Sequence, residues 1–394
     1  MPPLCKGRCR HKATEGLSPE AFMSKKYSIF ITALFCVFIF GFGIFFFAAP
    51  DKEFSEQENR YLSQFVPPTL ETLKSGEFME DFEDYVVDQF PLRDGWINLK
   101  AWGERILGKQ ENNKVYFGTD KQTLFAQFNY PTDLATRVEY INKLGDKLNI
   151  PLYFSLVPDK SFVYSERLPD NAPNVDDGSM IRDVQGMLSD KVNFIDLSKY
   201  LDRSGMFYRT DHHWTTLGAF HAYQMLGMTM NGTFTLPEGE PVKVTDSFFG
   251  TTISSAGTGW VTPDEMHVWV SEDSGITVER YPEGRPIPGE LYDESYLEKK
   301  DKYSMFLGGN QPLCILRNEN ATTDKKLMVV RDSYSDSLAP FLAQDYAEVH
   351  LIDLRYYKMP LPMYVMQNSI DEALVLYSNS NFSTDNNLFM MAMG

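Results

Sequence analysis

Cysteine is scarce in this chain, and the few residues are oddly placed. Cys5 and Cys9 precede a long apolar run, Cys36 lies inside it, and Cys314 alone lies beyond. The bulk of the chain therefore has no internal disulfide, which excludes a small disulfide-stapled scaffold. Cys5 and Cys9 offer two thiolates, half of a structural zinc set. Histidine is also sparse, six in 394 residues. No H-x3-H, C-x2-C or HExxH spacing occurs, so no metal site is expected. No G-x-G-x-x-G or P-loop stands between a strand and a helix, so no nucleotide and no other cofactor is implied. Positive charge is in short supply too. The net charge is −17, although the first 26 residues carry six basic and two acidic side chains. Everything after them is more acidic still. Such a surface repels phosphate backbones and excludes nucleic acid as a partner. Internal repeats and low-complexity tracts are absent.

Charge is missing altogether from Ser28 to Phe47, SIFITALFCVFIFGFGIFFF. At 1.5 Å per residue these 20 residues span about 30 Å, the thickness of a bilayer core. The run is longer than the apolar region of a signal peptide. Its exit, FFFAAP, places Phe47 two positions before Ala49, a poor cleavage site. An uncleaved single-pass anchor over 28–47 is expected. The basic residues before it keep a short tail, 1–27, in the cytoplasm and send the remainder outside the cell membrane. Met23, opening MSKKYSIF, is an alternative start.

Beyond the span, 48–110 reads as a stalk leading into helices. Phe78, Phe82, Tyr85 and Val86 recur at helical spacing, Pro91 breaks the pattern, and a second helix is expected over about 93–107. An α/β alternation follows. The expected strands are 114–118, 150–158 and 193–197, and the expected helices are 132–149, 176–189 and 215–230. Strands alternating with helices argue for a parallel sheet covered on both faces. Residues 233–312 break the rhythm with Gly, Pro, Thr and Tyr and short alternating runs, and read as a β-rich insertion. The alternation resumes over 313–394, so 111–232 and 313–394 form one α/β domain.

Two stretches carry chemistry. KLMVVRDSYSD ends a buried strand in a sharp turn into a helix, which sets Ser333 at the C-terminal edge of the sheet, where open α/β folds place their sites. A helix N-terminus there offers N–H groups to a developing oxyanion. The bland reading of Ser333 is a helix cap. YRTDHHWTTLGAF (208–220) holds Asp211, His212 and His213 on a loop at the same edge. A serine hydroxyl needs a base, histidine suits that role near neutral pH, and a carboxylate can hold its tautomer. Adjacent histidines project in opposite directions in extended chain, which argues against one metal held by both. Trp214 reads as core packing or as a wall of the substrate cleft. Arg355 could bind an anionic group or a structural aspartate. Lys160, in VPDKS, is either a substrate contact or a solvated or ion-paired lysine.

YRTDHHWTTLGAF resembles the D-H-H-W motif of the DHHW family, and is similar to the T-D-x-H-W motif of the alginate O-acetylation proteins, a permuted branch of the SGNH/GDSL esterase superfamily. ENRYLSQF, DQFPLRD, VPDKSFVYSERLP, LGGNQP and VRDSYSDSLAPFLAQDYAEVHLIDLRYY extend the resemblance over nearly everything beyond the span. It implies an SGNH-hydrolase-like, flavodoxin-like sheet with permuted motif order. It also implies Ser333 as nucleophile, His213 as base and Asp211 as orienting carboxylate. Arg331 stands where the family usually has glycine. By topology, Asn379 falls where such esterases place an oxyanion asparagine, with Asn381 behind it. The implied activity is O-acyl transfer or ester hydrolysis, with acetyl as the acyl group, a polysaccharide hydroxyl as acceptor and a membrane-bound O-acyltransferase as partner. A non-catalytic scaffold for polysaccharide assembly is the alternative from another class.

Overall fold

The computed structural model describes residues 25–55, 60–201, 203–237, 239–269 and 275–393. The expectations for the basic tail, Cys5, Cys9 and Met23 lie outside these residues. The chain divides into two compact units, 1–53 with 61–93 and 54–60 with 94–394.

In the first unit, α1 (Lys25–Ala48) contains a 22-residue apolar stretch, Tyr27–Ala48, with an 18-residue window of mean hydropathy 2.7. It is long and apolar enough to cross a membrane, and its apolar window is not buried in the protein. Helix α2 (Leu70–Ser75) starts at Thr69, whose side chain and backbone exchange hydrogen bonds with Thr72 in a capping box. It stops at Gly76, whose φ of 88° suits glycine. The expected aromatic stripe lies on α3 (Glu77–Asp88), where the Phe78 and Phe82 rings stack 5.8 Å apart.

The second unit is built on an eight-stranded sheet. Helix α4 (Arg93–Ile106) leads to a small antiparallel sheet of β1 (Glu111–Asn112), β2 (Val115–Phe117) and β3 (Leu124–Ala126). Next come α5 (Leu134–Lys147), β4 (Leu152–Val157), α6 (Lys160–Val163), α7 (Asp177–Met187), β5 (Val192–Asp196) and α8 (Thr216–Met230). A second small sheet pairs β6 (Val242–Phe248) with β7 (Asp264–Val268), with α9 (Thr251–Ala256) between them. The remaining elements are β8 (Ile276–Arg280), β9 (Ile287–Gly289), β10 (Leu313–Asn318), β11 (Thr323–Arg331), α10 (Tyr334–Asp345), β12 (Tyr346–Ile352), α11 (Leu361–Asn368), β13 (Glu372–Ser378) and α12 (Asn379–Thr384). The sheet order is β9-β8-β10-β12-β11-β13-β4-β5.

Five of these strands, β12-β11-β13-β4-β5, are parallel, as the alternation of strands and helices dictates. Their side chains alternate between two cores. Leu327, Val329, Leu374 and Leu376 pack on one face, in the cluster that holds residues of α8 and α10. Met328, Val330, Ala373 and Val375 pack on the other, with residues of α5, α7 and α11. The sheet is mixed rather than wholly parallel: β10, β8 and β9 add antiparallel strands. Segment 233–312 is accordingly not one insertion, because β8 and β9 lie in the main sheet while β6 and β7 pair apart from it. Short runs such as ITVER fit a sheet edge as well as a separate β module, so pattern alone could not separate them.

Register brings the strand ends together. Arg331 pairs with Leu376, and Ser378 pairs with Val157. The turns after β11, β13 and β4 therefore leave from one edge, so Ser333, Asn379 and Lys160 all start from it.

Candidate active site

Helix α10 begins at Tyr334, and Ser333 occupies its cap position without making a side-chain cap hydrogen bond. The hydroxyl goes elsewhere. Ser333 Oγ lies 2.7 Å from His213 Nε2, and His213 Nδ1 lies 2.5 Å from Asp211 Oδ1. Asp211, an ionised carboxylate, can only accept, so Nδ1 carries the imidazole proton. In neutral imidazole Nε2 is then an acceptor, and the serine hydroxyl donates to it. Both His213 and Asp211 are buried. Burial opposes the ionisation of Asp211. The imidazoles of His212 and His213, with the His213 ring and backbone N–H bonds, prevail and hold the carboxyl well below its usual range.

The histidine loop is a tight excursion from a two-residue bridge between Phe207 and Trp214. Tyr208 N–H donates to the His213 carbonyl, and Thr215 N–H donates to Met206. Thr215 caps α8 by accepting from Gly218 N–H. A Cβ at Gly218 would lie 2.3 Å from the Met206 carbonyl oxygen, which is why this motif needs glycine there. Trp214 is fully buried, and its Nε1–H reaches the Tyr334 carbonyl and Ser337 Oγ at 3.0 and 2.9 Å. It is a core residue joining the loop to α10, and it does not wall a cleft.

Three residues that the motif reading missed complete the arrangement. Thr251 donates to Asp211 Oδ2 from its backbone N–H at 2.7 Å and from its hydroxyl at 3.1 Å. Gly250 precedes it because a Cβ there would sit 2.2 Å from the Asp211 side chain. Tyr303 stacks flat on the His213 ring, with centroids 3.8 Å apart and planes at 7°. Its hydroxyl pairs with Ser337 Oγ and reaches the Ser333 carbonyl. All three come from 233–312, whose low periodicity gave no signal of a site. A cavity of about 20 Å³ remains beside Asp211 and His213, lined by Phe248, Phe249 and Tyr303 among others. That is room for about one water.

On the serine side Asp332 pins the turn. It accepts from Tyr334 N–H, Ser378 N–H, the Ser378 hydroxyl and Asn381 Nδ2. Asn381 therefore holds the Asp332 carboxylate and does not line the site. Arg331, fully buried, ion-pairs with Asp336 at 3.0 Å and donates to Asn310 Oδ1. The unusual residue before Asp-Ser is thus a buried support of the turn. Asn379 is fully buried, and neither atom of its carboxamide is hydrogen-bonded. Its carboxamide lies near Asp177, whose carboxyl burial raises and whose ionised form the Asp159 N–H and the Asn379 amide favour. Arg355 directs Nε and Nη2 onto both oxygens of Asp353, so its fork serves a structural aspartate. Lys160 is buried with its ammonium on backbone carbonyls, neither solvated nor facing a cleft.

Asp211, His212 and His213 present ligand atoms within 4.8 Å of one another. Both ring nitrogens of His213 are engaged, as is Nδ1 of His212, which lies 2.7 Å from Thr251 Oγ1. Binding a metal would mean breaking the Ser333–His213–Asp211 chain, and the donor set does not fit an ion as arranged.

Comparison with known proteins follows the same lines. A family model described as the SGNH hydrolase-like domain of the acetyltransferase AlgX matches residues 119–257. The chain is 25% identical over 196 residues to the probable alginate O-acetylase AlgJ of Pseudomonas syringae pv. tomato, covering 46% of this chain and 50% of that one. It thus spans about half the length of that relative. Among solved structures, a DHHW family protein from Eubacterium siraeum superposes with a TM-score of 0.61 at 20% identity, over 71% of this chain and 95% of that one. Bacillus cereus PatB1, solved with a sulfonyl adduct, superposes with a TM-score of 0.59 at 21% identity, over 70% and 97%. At these identities the structural likeness speaks for the fold. The chain carries an SGNH hydrolase-like domain, and it is similar in sequence to the AlgX and AlgJ proteins.

Proposed function

We propose that this protein is an O-acyltransferase of the cell surface, which moves an acetyl group onto a polysaccharide hydroxyl through an acyl-Ser333 intermediate. The observation that carries the reading is the unbroken chain from Ser333 Oγ to His213 Nε2 and from His213 Nδ1 to Asp211, at 2.7 and 2.5 Å. A serine serving only as a cap would turn its hydroxyl to its own helix, and Ser333 does not.

In the first half-reaction His213 Nε2 takes the Ser333 proton as Oγ attacks the acyl carbonyl. Asp211 stabilises the imidazolium and keeps the ring oriented. The carbonyl oxygen gathers negative charge, and the Ser333 backbone N–H at the start of α10 is assigned as a donor to it. The leaving group departs with the proton from His213, and the acyl-serine ester remains. In the second half-reaction His213 deprotonates a sugar hydroxyl as its oxygen attacks the ester carbonyl; the acyl bond to the sugar oxygen forms, the bond to Ser333 Oγ breaks, and Oγ leaves with the proton from His213. Water in place of the sugar would make the same residues an esterase. Transfer is favoured by the resemblance to proteins named for O-acetylation.

Helix α1 serves as a single-pass anchor in this reading. Lys25 and Lys26 stay on the cytoplasmic side and the α/β domain stands outside, where it meets polysaccharide and a membrane-bound acyl donor protein. The test uses the full chain in detergent, with a fluorophosphonate probe and p-nitrophenyl acetate. Wild type is expected to label and to release p-nitrophenol, and Ser333→Ala and His213→Ala to do neither. A folded wild type that stays unlabelled would leave the scaffold role as the better account.

A further inference from the structure

The loop that carries Asp211 and His213 has no regular secondary structure, yet it must hold two side chains to within a few tenths of an ångström. Its backbone polar groups are sorted by sign. On one side, Arg209 N–H donates to Asp264 Oδ1, and Thr210 N–H and its hydroxyl donate to Asp264 Oδ2. On the other, three carbonyl oxygens converge on one point. Lys160 Nζ donates to the carbonyls of Tyr208 at 2.8 Å, Arg209 at 3.1 Å and Asp211 at 2.7 Å. Lys160 is 4% exposed, makes no ion pair among the described residues, and has the Phe125 ring 5.8 Å from Nζ.

We infer that Lys160 is a positioning residue of the active site: its ammonium clamps the 208–211 backbone, opposite Asp264, and so fixes Asp211 and His213 against Ser333. The inference rests on the catalytic reading of that pair, and its own readout is chosen to be independent of turnover. The chemistry of the head group matters. Three converging carbonyls need three donors, which an ammonium has and a neutral amine lacks. Methionine keeps the apolar stem and loses every bond. Arginine keeps the charge, but its planar fork suits two parallel acceptors better than three convergent ones.

The clamp is also sensitive to pH. Burial pulls the Lys160 ammonium down to about 8, against the favourable fields of Asp264, Asp211, Asp120 and Asp159. Burial chiefly, then the field of His213 and last that of this ammonium, hold His212 uncharged against the pull of Asp211. Above pH of about 8 the head group loses one donor and its charge, and one carbonyl of the loop is released.

The test follows the NMR resonance of the His213 Nδ1 proton, shifted downfield by its bond to Asp211, and the pH–rate profile with p-nitrophenyl acetate. In wild type the resonance is expected to shift or broaden as pH rises through about 8, with loss of kcat over the same range. In Lys160→Met the resonance should be displaced at neutral pH and kcat reduced about 100-fold with KM little changed, the usual scale for a 1 Å misplacement. Lys160→Arg should recover part of kcat and move the alkaline limb upward. A folded Lys160→Met with an unchanged resonance and profile would overturn the inference. Should neither variant fold, a wild-type resonance that is flat between pH 7 and 9 would overturn it alone. A protein inactive in every form, with a resonance that still responds to Lys160, would instead count against the catalytic reading and leave the positioning role standing.

Discussion

The serine turn and the histidine loop meet at one edge of the sheet but are built in opposite ways. The serine turn inherits its position. Strand β11 is fixed by register to β12 and β13, the chain turns once, and α10 carries on, so Ser333 sits where the sheet puts it. Asp332 and the buried Arg331–Asp336 pair secure a geometry that is already regular. The histidine loop inherits little. Lys160, Gly250, Thr251 and Asp264, from three other parts of the chain, each hold part of it. Changes around the serine turn should therefore appear mainly as lost stability, and changes around the histidine loop as lost activity in a folded protein.

The largest effect is expected at the centre of the loop. Asp211→Asn replaces an acceptor with a group that can present N–H to His213, favouring the wrong tautomer, and should lower kcat about 1,000-fold or more with the fold intact. Gly250→Ala forces a methyl group to within 2.2 Å of the Asp211 side chain. A loss of about 100-fold in kcat is expected, with a melting temperature closer to wild type than that of Arg331→Ala. On the other side of the comparison, Arg331→Ala leaves Asp336 buried without its cation and should cost about 3–5 kcal/mol of unfolding free energy. Adding Asp336→Asn should restore part of it, as urea titration would show.

A smaller effect concerns Asp177, whose Oδ2 accepts the Asp159 N–H at 2.6 Å. Burial, only partly offset by that bond, raises its carboxyl from 3.8 to about 6. Between those values the folded chain holds a proton that the unfolded chain has released. This contribution to stability is fully present below about pH 4 and is lost as pH rises through about 6. Asp177→Asn should flatten the slope by up to about 1.4 kcal/mol per pH unit, measured by urea unfolding across that window. The smallest effect is expected for Ser333→Ala on stability. A true capping serine would cost about 1 kcal/mol, whereas Ser333 caps nothing, and a change below about 0.5 kcal/mol is expected.

The same contrast explains what was legible in the sequence. The strand–turn–helix around Ser333 is visible because its buried run and helical period are local signals, and β4 and β5 are read for the same reason, whereas the strand expected over 114–118 lies in the small antiparallel sheet. The D-x-H spacing marks the loop residues because one tight loop brings Asp211 and His213 together. What holds that loop is not local. Thr251 lies 40 residues from Asp211 and Lys160 lies 51 away, and no periodicity links them. Trp214 was legible as core packing, but Lys160 is a charged side chain that a pattern places at the edge, and only packing shows that it faces inward. The antiparallel extension through β8 and β9 was hidden by their short, edge-like runs.

The measurement that bears most directly on the central claim is peptide mass spectrometry of the full chain after brief exposure to p-nitrophenyl acetate, quenched at low pH. The account predicts an acetyl group on the Ser333 peptide, absent in His213→Ala and removed when an oligosaccharide acceptor is added before the quench. A folded protein that acquires no acetyl on Ser333, or acquires it equally without His213, would contradict it.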